Sequence, residues 1–99
     1  MVFKDISVQD FKDNFQEKAL IIDIRDNESY KQSNIADAKN YNSEDIMKLI
    51  ESGDKDKSIV VYCYHGNSSR KVASFLAEHG FKKVCSLVGG FSAWKDSQR

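Results

Sequence analysis

The 99-residue sequence contains no proline, so Gly, Asn, Asp and Ser must supply its turn chemistry. It has only two cysteines, Cys63 and Cys85, too few for a disulfide framework, and each thiol is therefore read on its own. Two histidines and no Cys-x-x-Cys pair argue against a zinc site, and neither metal nor cofactor is expected. Fifteen Lys plus Arg balance fifteen Asp plus Glu, which leaves nucleic acid and anionic membranes without a bulk electrostatic attraction. No apolar run approaches the roughly 20 residues that span a bilayer. The opening MVFKDISVQD also lacks the apolar core and small-residue cleavage site of a signal peptide. A soluble, cytoplasmic protein with reduced thiols is expected, with neither membrane nor nucleic acid as a partner.

What is present suffices for one hydrophobic core. Hydrophobic residues make up 40% of the chain, repeats and low-complexity tracts are absent, and a single domain over residues 1–99 is expected. Residues 2–6, VFKDI, read as a short strand. Ser7 then caps a helix that places Val8, Phe11 and Phe15 on one face. ALIIDI, residues 19–24, is a continuous apolar run ending near an aspartate, as in a parallel strand covered on both faces. A short helix follows over 28–32, and AKNY is a weak strand. Ser43 is the expected cap of a helix with Glu44 and Asp45 in its first turn and Ile46, Leu49 and Ile50 on its buried face. SGDKDK is a turn, and SIVVYC, residues 58–63, is the strongest strand. Ser68 or Ser69 opens a helix expected to bury Val72, Ala73, Phe75 and Leu76, with His79 and Gly80 closing it. KKVCSL is the last strand, and GGFSAWKD turns into a terminal helix. Met47 is expected in the core, as is Cys85, rather than as a resolving thiol. Strands alternating with helices imply an α/β domain with a mainly parallel sheet and helices on both faces. Such sheets bind ligands beyond the carboxyl ends of their strands, where Cys63 lies.

Around Cys63 the chemistry sharpens. A strand that ends in cysteine and runs through a short polar loop into a helix lets several backbone N–H groups converge on the sulfur. Gly66 tolerates positive φ and Asn67 is the next most tolerant residue type, so the loop can curl tightly. Such donors favour thiolate over thiol, moving a cysteine down from a free pKa of about 8.5 and making Cys63 a nucleophile. Arg70 and Lys71 lie early in the following helix, where a cation opposes the macrodipole, and no Asp or Glu occurs from Cys63 to Ala77. An anion would offset that cost, and an anionic sulfur or phosphorus substrate fits. The alternative is that the cations form a solvated face. His65, two residues from Cys63, reads as lining the mouth of the site rather than as a base.

CYHGNSS, residues 63–69, resembles the active-site loop of the rhodanese family. IIDIRD followed by Tyr30, then CYHGNSS, then VGGFSAW occur in the family's order across nearly the whole chain. Within that family the chain resembles the short bacterial single-domain thiosulfate sulfurtransferases associated with glycerol metabolism. The resemblance implies a five-stranded parallel sheet between helices and Cys63 as the sulfur-carrying nucleophile. It also implies a cradle of backbone N–H groups from Tyr64, His65, Gly66, Asn67, Ser68 and Ser69, and an Asp23–Arg25 pair that orders the loops. The implied reaction takes the sulfane sulfur of thiosulfate onto Cys63, releases sulfite with help from Arg70 and Lys71, and passes the sulfur on. The acceptor is cyanide or a thiol, a dithiol protein such as thioredoxin being one candidate. The chain departs from the family where Ser33, Asn34 and Ile35 replace the usual Gly-His-Ile.

Two other readings share the thiolate. Cys-x5-Arg phosphatases and arsenate reductases use a similar loop, but here Ser69 fills the arginine position and Arg70 comes one residue later. A sulfur-carrier or regulatory module that does not turn over free thiosulfate is the other.

Overall fold

The computed structural model describes residues 2–98; Met1 and Arg99, the ends of the expected domain, lie outside it. Five short strands alternate with five helices: β1 (Lys4–Ile6), α1 (Val8–Asn14), β2 (Leu20–Asp23), α2 (Asn27–Gln32), β3 (Lys39–Asn40), α3 (Ser43–Ser52), β4 (Ser58–Tyr62), α4 (Asn67–Glu78), β5 (Lys83–Leu87) and α5 (Gly90–Ser97). The strands form one sheet in the order β1-β5-β4-β2-β3, and every pairing is parallel. All carboxyl ends therefore open on one side of the sheet, with β4 in the middle.

Side-chain alternation along the central strands sends apolar residues to both faces. On β4, Val60 and Tyr62 join Phe11, Ile21, Leu87 and Phe91 in one core layer. Ile59 and Val61 join Ile22, Ile46, Leu76 and Phe81 in the other. Burial on both faces is why these strands read as continuous apolar runs rather than as alternating ones. No helix among the described residues is long and apolar enough to cross a membrane.

The helix starts refine the sequence reading. Ser7 caps α1 as expected, accepting from the Asp10 N–H at 3.0 Å. The cap of α3 is Asn42 rather than Ser43: its side chain accepts from the Asp45 N–H, and the Asp45 carboxylate accepts from the Asn42 N–H, both at 2.9 Å. This reciprocal box satisfies two otherwise orphaned donors, which Ser43, one position into the helix, could not do. The helix α4 begins at Asn67, ahead of both serines proposed for its start, because Gly66 at φ 96° makes the turn into it. Two apolar residues expected in the core are at the surface, Phe75 at 37% and Met47 at 46% exposure. They sit at the edges of the buried stripes of α4 and α3, where helical periodicity alone does not separate core from rim.

Candidate active site

Cys63 is the first residue beyond β4, and its position is fixed from two directions. From below, β4 is paired with β2 on one side and β5 on the other. From above, the first turn of α5 grips the loop: the Phe91 N–H donates to the Cys63 carbonyl at 2.8 Å, and the Ser92 N–H to the Tyr64 carbonyl at 3.0 Å. The Gly-Gly pair before Phe91 is what permits this approach. A Cβ on Gly90 would fall 2.4 Å from the Cys63 carbonyl oxygen and 2.7 Å from that of Tyr64. With its carbonyls held by α5, the loop is free to turn N–H groups towards the sulfur.

The sulfur is held by those groups. Sγ accepts from the Gly66 N–H at 3.1 Å and the Ser69 N–H at 3.4 Å, and the Ser69 hydroxyl lies 3.5 Å away. Gly66 has a second constraint besides its left-handed backbone, since a Cβ there would meet the Gly89 nitrogen at 3.0 Å. Burial pushes the Cys63 thiol up. The Ser69 hydroxyl and the N–H groups of Ser69, Gly66 and His65 outweigh it, and the pKa lies below that of an ordinary cysteine. The arrangement favours the thiolate form of Cys63.

Cys63 opens into a cavity of about 260 Å³, lined by Ile24, Arg25, Asp26, Tyr64, His65, Asn67 and Ser68. Of the residues proposed from sequence, the structure thus gathers Cys63, Tyr64, His65, Gly66, Asn67, Ser68 and Ser69 at one place. His65 is exposed at the mouth, and Tyr64, 45% exposed, is tethered by its hydroxyl to Ser29 at 2.8 Å.

Arg70 does not belong to this group. Its guanidinium makes a two-pronged ion pair with Asp5 of β1, at 3.0 and 3.1 Å, and lies 5.2 Å from the centre of the Phe3 ring. The anion that offsets a cation near the start of α4 is therefore a carboxylate of the chain itself. Lys71 lines neighbouring grooves and is not part of the wall around Cys63.

The cation beside the thiol is Arg25, which sequence reading placed chiefly in a structural pair. It is in one: Nη2 donates to the Asp23 carboxylate at 2.7 Å and Nε to both its oxygens at 3.1 Å. Both side chains are buried, at 2% and 0% exposure, so each neutralises a charge that would otherwise be stranded. Arg25 also packs over the Phe91 ring, at 4.0 Å from its centre, which ties the cavity wall to α5. Tyr62 completes the network, its hydroxyl donating to Asp23 at 2.8 Å and accepting from the Ile35 N–H at 3.2 Å. Sequence reading missed Tyr62, whose only signal was a polar tip at the end of an otherwise apolar strand.

The departure at Ser33 and Asn34 is also accommodated here. Ser33 is extended, at φ −165°, so no glycine is needed, and its carbonyl accepts from Arg25 at 2.6 Å. The Asn34 side chain donates to the Tyr30 carbonyl at 2.8 Å, satisfying an acceptor at the end of α2.

A cysteine at a strand end, cradled by the N–H groups of the following loop and helix start within an all-parallel sheet, defines the class. The chain belongs to the rhodanese-like domain family, whose sequence model matches residues 7–97. Among named relatives, it is 42% identical over 96 residues to the thiosulfate sulfurtransferase GlpE of Coxiella burnetii, covering 96% of this chain and 90% of that one. It is 43% identical over 96 residues to GlpE of Shewanella oneidensis, covering 96% and 95%. Among solved structures, a rhodanese-related protein from Thermoplasma volcanium superposes with a TM-score of 0.79 at 26% identity, covering 96% and 93%.

Proposed function

We propose that this protein is a thiosulfate sulfurtransferase working through a persulfide on Cys63. The observation that carries the proposal is the convergence of two backbone N–H donors and the Ser69 hydroxyl on a buried sulfur that lines a small cavity. The near full-length similarity to proteins named thiosulfate sulfurtransferase supports it.

The chemistry follows from those donors. The Cys63 thiolate attacks the sulfane sulfur of thiosulfate; the bond to the sulfonate sulfur breaks, and its electron pair leaves with sulfite as the dianion. Cys63 then carries a persulfide anion, and the total charge of minus three is conserved. Attack on the terminal persulfide sulfur by cyanide, or by a thiolate acceptor, returns the Cys63 thiolate and releases thiocyanate or the acceptor's persulfide. Both half-reactions move negative charge between sulfur atoms within reach of the same fixed donors. Those donors need no reorganisation as the charge moves. Asn67 and Ser68, in the first turn of α4, line the space where the sulfite group departs. Arg25, held in its pair with Asp23, forms part of that wall, and Arg70, paired with Asp5 away from the cavity, is left out of the step.

Incubation with thiosulfate followed by intact-mass measurement tests the reading. One added sulfur on the wild type and none on Cys63→Ser is expected, together with thiocyanate formation that requires Cys63. Absence of both from the wild type would overturn it. Turnover of an aryl phosphate would instead restore the phosphatase reading, which the diversion of Arg70 to Asp5 disfavours.

A further inference from the structure

Behind the Ser69 hydroxyl lies a second one. Ser69 and Ser86 are both buried, at 0% and 1% exposure, and their Oγ atoms are 2.8 Å apart. Ser86 is on β5 with backbone partners on either side, Asp5 of β1 and Val61 of β4, so its position is set by the sheet. Ser69 belongs to the first turn of α4. Three groups thus form a line from the sheet to the nucleophile: Ser86 Oγ, Ser69 Oγ and Cys63 Sγ.

A hydroxyl has one proton, and the state of its neighbours decides where that proton points. Next to a thiol, Ser69 can accept from Sγ–H and donate to Ser86. Next to a thiolate or persulfide anion, it must donate towards sulfur, and its lone pair is then free to accept from Ser86. The Ser86 hydroxyl can serve in both arrangements because it too both donates and accepts. Alanine at this position could do neither.

We infer that Ser86 is a positioning residue of the sulfur-transfer site, orienting the Ser69 proton towards the anionic sulfur of Cys63. The inference rests on the reading of Cys63 as nucleophile, but its action is exerted on the charge of the sulfur and not on thiosulfate. In a buried row of this kind each hydrogen bond polarises the next, so a donor to Ser69 strengthens the bond that Ser69 gives. The charged and titratable groups around Cys63 are Arg25 and Asp26 from the β2–α2 connection and Tyr64 and His65 from its own loop. Arg70 of α4 and Asp5 of β1 are turned to each other. All of these remain in place when only the Ser86 hydroxyl is removed.

The experiment is the pH dependence of Cys63 alkylation by iodoacetamide, followed site by site by mass spectrometry. It needs no sulfur donor. Ser86→Ala is expected to move the midpoint up by about half a pH unit, and Ser86→Thr, which keeps the hydroxyl, is expected to restore it. In the Ser69→Ala background, Ser86→Ala should have no further effect, because the route runs through Ser69. An unchanged midpoint in Ser86→Ala, or an equal shift with and without Ser69, would overturn the inference. Thermal melts of each variant confirm that the fold is retained. Failure of thiosulfate to load wild-type Cys63 would overturn the proposed function while leaving the alkylation result to judge Ser86.

Discussion

The two cysteines are nearly equally buried, Cys63 at 7% and Cys85 at 5% exposure, yet their sulfurs are driven in opposite directions. Cys85 lies within β5, in register with Lys4 on one side and Val60 on the other, and its side chain is part of an apolar layer. Burial raises its pKa; the attraction of Lys4 works against this and the repulsion of Asp10 with it. For Cys63, the raising effect of burial is overcome by the Ser69 hydroxyl and by backbone N–H groups. Burial alone therefore favours the neutral thiol. Hydrogen-bond donors brought to the sulfur reverse that shift and favour the thiolate. The difference is one of position along a strand: inside the ladder the backbone N–H groups are spent on neighbouring strands, and just past its end they are free to turn inward.

The contrast can be tested at four places. The largest effect is expected from exchanging the sulfurs themselves. Cys63→Ser should lower thiocyanate formation by at least about 10³-fold, whereas Cys85→Ala should leave it within about twofold. Next comes the backbone of the cradle. Gly66→Val combines a left-handed φ with a β-branched side chain, and its Cβ meets the Gly89 nitrogen. By pulling the loop donors off Sγ it should reduce kcat/KM about 10²-fold, and steady-state kinetics beside a thermal melt separates this from unfolding.

Ser69→Ala removes the hydroxyl alone and makes Cys63 resemble Cys85 by one step. Wild-type activity should be flat above the lowered Cys63 pKa and fall with acidification below it, since protonation removes the nucleophile. In the variant that fall should begin at higher pH and cost about tenfold near neutrality. The same sign applies to stability: the depressed pKa stabilises the fold above the pKa of a free cysteine. That contribution is lost as pH falls through the lowered value. The smallest effect is expected from Arg70→Glu, which sets a second carboxylate against Asp5 in an exposed pair. Its kcat/KM should stay within about twofold, with a lowered melting temperature as the more visible change. A large kinetic loss would return Arg70 to the sulfur site.

Local pattern carried much of the molecule. The apolar runs at 19–24 and 58–63 gave the paired central strands, and the loop from Cys63 to Ser69 could be read as a cradle because its donors are sequence neighbours of the thiol. What could not be read depends on pairing between distant segments. Asp5 reaches Arg70 only because β1 lies at the edge of the sheet beside β5, a placement that no local spacing encodes. Ser86 was hidden within an apolar strand, and its meaning appears only where α4 crosses β5. The cap of α3 was within reach, since Asn42 stands three residues before Asp45 as a capping box requires.

The clamp that α5 places on the Cys63 and Tyr64 carbonyls has a consequence for the order of events during synthesis. The groups that hydrogen-bond to Sγ, from Gly66 and Ser69, lie before residue 70, yet the loop carrying them is gripped by Phe91 and Ser92. A nascent chain that has released α4 but not yet α5 holds all the donors without the clamp that arranges them. The arrangement of donors around Sγ is thus complete only once α5 has docked on the loop.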